Sequence, residues 1–153
     1  MSMLALPESE CREILELFRQ HLPHLPDAWL EELAANYGQD AIKDIDPNDV
    51  ISILSMPGHL HRIEIAPAQD ESLVNIHRRI HEELIGRGIE ASRVIASLLT
   101  IQNSSVRMDD VSEFIGLITS DFANLRENGW CWHQSQPLFN LAPKICLIFV
   151  WLQ

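Results

Sequence analysis

The stretch 89–101, IEASRVIASLLTI, constrains the fold more than any other because it is apolar nearly all round. Read as a helix it has no polar face, and a helix of that kind must be enclosed by other elements. It follows an amphipathic stretch at 73–85 and the short turn Gly86-Arg87-Gly88, so the pattern predicts two helices joined by a tight connection. The expected fold is therefore mainly α. Residues 1–153 form a single compact domain of five to six helices around a central buried helix at about 89–101.

The remaining chain supplies the other helices of this expectation. A first helix over 7–21 opens on Pro7 and buries Cys11, Ile14, Leu15, Phe18 and Leu22 at 3.6-residue spacing. Pro23 and Pro26 interrupt it, Asp27 is expected to cap a second helix, and Gly38 stops that one. A third begins at Asp46-Pro47, a preferred cap followed by a residue suited to the first helical position. Met108, Val111, Ile115, Ile118, Phe122 and Leu125 recur at intervals of 3 and 4, a seam for helix packing or for a second copy of the chain. Two stretches read instead as strands. Residues 59–65 alternate imperfectly, and 145–152 form an eight-residue apolar run with β-branched content. They are expected to pair as a short two-strand ribbon (about 59–65 and 145–151), or the second to be covered by a homodimer partner.

Charge narrows the function. The chain carries 22 Asp and Glu against 11 Lys and Arg, a formal net charge of −11. Eleven of the acids lie in residues 1–60 against only three basic residues. Such a surface repels phosphate, so no direct nucleic-acid binding is expected, and a basic protein partner is. No stretch approaches the ~20 apolar residues that span a bilayer, and 1–7 lacks the features of a signal peptide. A cytoplasmic setting without membrane contact follows. Cys11, Cys131 and Cys146 are too few and scattered for a disulfide framework.

The leading expectation is a small acidic protein acting non-catalytically through protein–protein interaction, self-associating and binding or neutralising a basic partner. Its candidate contact residues are Glu31, Glu32, Asp44, Asp46 and Asp49 on the acidic side. Trp130, Trp132 and Phe139 are the candidates in the aromatic tail, since tryptophan is enriched at interfaces. The alternative is a metal-dependent or small-ligand-binding helical protein. His77 and His81 lie four apart on one helix face, the spacing a shared zinc or other divalent metal requires. Cys131 and His133 could complete the set, with His59 and His61 as further donors. Structural imidazoles hydrogen-bonded at the core edge are the competing explanation.

Other chemistries find no support. HExxH is absent, the would-be calcium loop at 44–55 has Asp49 where glycine is needed and Ser55 where glutamate is needed, and no nucleophile elbow occurs. Residues 73–101 invite comparison with a helix-turn-helix regulator, but the second element is too apolar to lie in a DNA groove.

Overall fold

The computed structural model describes residues 9–38, 41–43, 45–102, 108–135 and 143–152. Its elements run α1 (Ser9–His21), α2 (Asp27–Ala35), β1 (Ala41–Lys43), α3 (Pro47–Leu54), β2 (His59–Ile65), α4 (Leu73–Gly86), β3 (Val94–Gln102), α5 (Met108–Asp121), β4 (Trp130–Ser135) and β5 (Lys144–Trp151). The strands form one mixed sheet in the order β1-β4-β3-β5-β2. The fold is α/β, and the mainly α expectation is wrong.

The error sits at the stretch that organises the chain. Residues 89–101 are not a helix: a 3₁₀ turn at Ala91–Arg93 leads into β3, whose residues Val94 to Ile101 are all buried. A strand covered on both faces has no polar side, and over nine residues it matches a buried helix in hydrophobic pattern. The β-branched Val94, Ile95, Thr100 and Ile101 decide for the strand, where their stiff side chains fit the pleat. The stretch is central, as expected, but as the middle of a sheet. With no second helix, the helix-turn-helix comparison falls.

β3 runs parallel to β4 (Ser97 opposite Trp130, Gln102 opposite Ser135) and antiparallel to β5 (Leu98 opposite Ile148, Leu99 opposite Leu147). Parallel neighbours need a crossover, and α5 supplies it between β3 and β4. The pairing of 59–65 with 145–151 is present in continuous register, from His59 opposite Trp151 to Ile65 opposite Ile145, as two strands of the larger sheet.

Successive residues of β3 and β5 feed two separate cores. Leu98, Cys146, Ile148 and Val150 pack with α1, α2 and α3. Leu99, Ile101, Ile145, Leu147 and Phe149 pack with α4 and α5. The result is three layers with the sheet in the middle. The seam of α5 is spent here, since Val111, Ile118 and Phe122 are buried in the second core. The C-terminal run is spent as β5, so both segments that suggested a homodimer are interior surfaces of one chain.

The cap at Asp46 matches its sequence signal, Asp27 is the first residue of α2 behind an N-cap at Pro26, and a further cap stands at Ser72. Asp46 accepts from the Asn48 amide at 2.9 Å and Ser72 accepts from the Asn75 amide at 3.1 Å, opening α3 and α4. Gly129 is buried at the entry to β4, where its carbonyl accepts from Ser97 N at 2.7 Å. A Cβ there would lie 2.7 Å from the Ile95 carbonyl oxygen and 2.8 Å from that of Arg126, so the close approach admits only glycine.

Candidate functional site: an acidic cleft at one end of the sheet

The histidines chosen from the sequence do not converge with their proposed co-ligands. His77 and His81 share a face of α4 with ring centroids 6.5 Å apart, and between them stands Asp121, the last residue of α5. Its Oδ2 lies 2.6 Å from His77 Nε2 and 3.9 Å from His81 Nδ1. The close contact ties α4 to α5. His133 belongs to the other face of the sheet, buried with its ring 5.9 Å from Tyr37, and Cys131 also packs there beside the first core. The sheet therefore separates the two halves of the proposed set. His59 and His61 are engaged elsewhere, with His61 stacked on Phe149 at 5.5 Å and His59 set against Trp151 at 6.0 Å. Among the described residues no group of three or more His, Cys, Asp or Glu side chains is arranged to hold a metal ion.

The acidic candidates of the first 60 residues are largely occupied within the chain. Arg19 holds Asp27 through two hydrogen bonds of 2.9 and 3.0 Å, with Glu31 at 3.8 Å. Glu32 pairs with Arg62 at 2.7 Å and also contacts Lys144, which reaches Glu64 at 3.0 Å. The Arg62 guanidinium in turn lies 5.7 Å from the centre of the Trp29 ring. Asp46 is a helix cap, and Asp49 is exposed in the first turn of α3. Trp130 and Trp132 are half-buried against the second core. Asp44 and Phe139 lie outside the described residues.

A different acidic site emerges from the topology. The carboxyl ends of β2, β3 and β4 and the start of β5 meet at one end of the sheet, as Ile65 opposite Ile145, Gln102 opposite Lys144 and Gln102 opposite Ser135 show. Ligands of open α/β sheets bind outside the carboxyl ends of strands. At this end, between the 67–72 connection, the first turns of α4 and α5, and Pro143, lies a half-open cleft of about 740 Å³. Its apolar lining includes Leu73, Val74 and Phe114, and its carboxylates are Asp70, Glu71, Asp110 and Glu113.

These acids have different jobs. Glu71 is a fixed part of the wall, its side chain only 7% exposed. It accepts from Ala68 N at 2.9 Å, from Asn75 Nδ2 at 2.5 Å and from Arg79 at 2.7 Å. The Ala68 amide bond, with support from Asn75 and Arg79, holds its carboxyl below the ordinary glutamate range. Asp70, on the lip, sits at φ 60°, a left-handed conformation that aspartate tolerates better than most residues. Asp70, Asp110 and Glu113 are exposed, and among the described residues no Lys, Arg or His pairs with them.

The electrostatic consequence is specific. Helix N-termini at this position ordinarily attract phosphate. Here Asp110 occupies the first turn of α5, Glu71 precedes the Ser72 cap of α4, and the connection at 66–72 is no glycine-rich loop. The carboxylates offset the positive helix ends and leave a cleft suited to a cation. Pattern reading singles out none of Asp70, Glu71, Glu113 and Asp121, and takes Asp109-Asp110 as helix-start charge. The available signal was two acidic helix starts, each following a strand.

The chain is thus a three-layer α/β domain with an acidic cleft at the carboxyl end of its sheet. No protein-family model matches it, and no curated protein matches it. Four solved chains do. One is an empty FtsZ dimer of M. jannaschii, similar over 89% of this chain and 43% of that chain, with 13% identity and a TM-score of 0.47. This chain spans less than half of that protein's length, and a likeness of this degree says nothing of function. No helix among the described residues is long and apolar enough to cross a membrane.

Proposed function

We propose that this protein is a non-catalytic interaction domain that binds a basic protein partner through the cleft between α4 and α5. The observation that carries the reading is the set of three exposed carboxylates, Asp70, Asp110 and Glu113, which no basic side chain among the described residues pairs, around a concave surface in a chain of net charge −11. Complementary charge speeds encounter and selects partners, and its contribution falls with salt. The α2 acids Asp27, Glu31 and Glu32 are poorer candidates, because Arg19 and Arg62 already engage them. A cytoplasmic setting is part of this reading, since three scattered cysteines do not make a disulfide framework.

The test uses a fluorescently labelled lysine hexapeptide, with binding followed by anisotropy at low and moderate salt. Asp110→Asn with Glu113→Gln removes two cleft charges, and Glu13→Gln with Asp49→Asn removes two exposed charges elsewhere. The cleft pair should weaken binding about tenfold, at up to ~1 kcal/mol per exposed charge, and the control pair should leave it nearly unchanged. Equal losses in both would mean that net charge alone attracts the peptide, and the cleft assignment would fall.

A further inference from the structure

Within the cleft reading, on which this step rests, we infer that the occupant is an extended segment carrying lysine or arginine, and that the aliphatic stem of the basic side chain is recognised along with its charge. Val74 is the observation that points there. It is 55% exposed, one of few large apolar side chains left so open among the described residues, and it lies on the cleft wall. The neighbouring wall is also apolar, with half-buried Leu73 and Pro67 and the ring of Phe114 beneath. Asp70, Asp110 and Glu113 line the same cleft.

A cleft whose wall is partly apolar does not suit a bare metal ion, which would want converging oxygens and a polar floor. It does suit a long basic side chain, which lays its methylenes on apolar surface and keeps its charged head among acids and water. The cleft, at about 740 Å³, is several times the size of one side chain, so it accommodates a stretch of peptide. The wall is already built. Glu71 ties Ala68, Asn75 and Arg79 together, and Arg79 also reaches the Ala66 carbonyl oxygen at 3.4 Å, so the 66–72 connection need not be ordered by the ligand.

The experiment compares the lysine hexapeptide with a diaminobutyrate hexapeptide of equal charge and shorter stems, at mildly acidic pH where both sets of amines are protonated. Each is measured on the full chain and on Val74→Ser, a change at an exposed site that leaves both cores intact. The lysine peptide should bind about fourfold more tightly for one seated side chain whose two extra methylenes are half-buried. Val74→Ser should shrink that preference toward unity. Equal binding of both peptides, abolished by Asp110→Asn with Glu113→Gln, would overturn stem recognition and leave the charge-based reading standing. Failure of both peptides to bind would overturn both readings.

Discussion

Leu98 and Leu99 are chain neighbours with no exposed surface, and the sheet sends them into different cores. Leu98→Ala opens a cavity beneath α1, α2 and α3, whereas Leu99→Ala opens one beneath α4 and α5. Each substitution removes three carbons, about 2.4 kcal/mol at ~0.8 kcal/mol per methylene, and the unrelaxed cavity brings the cost to about 3 kcal/mol. With an unfolding entropy of ~2.1 cal/mol/K per residue, each variant should lose about 9 °C in Tm. The more telling quantity is the coupling. The two side chains enter different cores, so the double variant should lose about 6 kcal/mol, with a coupling below about 1 kcal/mol. Urea titration followed by circular dichroism and tryptophan fluorescence measures all three variants. A cost below about 1 kcal/mol at either site, or a coupling above about 1 kcal/mol, would refute the two-core arrangement.

Two further outcomes follow from particular contacts. Gly129→Ala places a Cβ within 2.7 and 2.8 Å of two backbone oxygens and should destabilise by about 2–3 kcal/mol, measured by the same titration; a neutral result would mean that the turn into β4 differs from the one described. Because Glu71 is held below the ordinary glutamate range when folded, the unfolded chain takes up that proton first. Its stabilising contribution is complete above the ordinary range and is lost as pH falls through the lowered value, so acidification should lower Tm and Glu71→Gln should flatten that stretch of the profile. An unaltered pH profile in the variant would remove Glu71 from its place in the cleft wall.

Much of the fold was legible where local chemistry acts alone. The Asp46 cap, the buried stripe of α1 and the strand at 59–65 all rest on short-range signals, which a sequence displays directly. The stretch at 89–101 was misread for a physical reason. A helix and a strand that are buried on every side are equally apolar, and periodicity distinguishes them only where one face meets water. Its β-branched residues were the better guide. Once that stretch becomes β3, the αα-hairpin turns into a helix leading to a strand, and α5 becomes a crossover between parallel strands.

The site was harder to read because it depends on which ends of the elements meet. His77 and His81 share a helix face, as their spacing requires, but Cys131 and His133 pack on the other side of the sheet. Spacing along a helix cannot supply that information. The same limit hid the cleft, since Asp70 and Glu113 are 43 positions apart in the chain and come together only because the segments after β2 and β3 begin at one end of the sheet. Net charge indicated the sign of the partner, and topology selects which acids remain open to it. Where an arginine is near, as Arg19 is to Asp27 and Arg62 is to Glu32, the acid is used in holding the chain together. Asp70, Asp110 and Glu113 are left with charge to offer, on a large concave surface that also presents an open apolar wall.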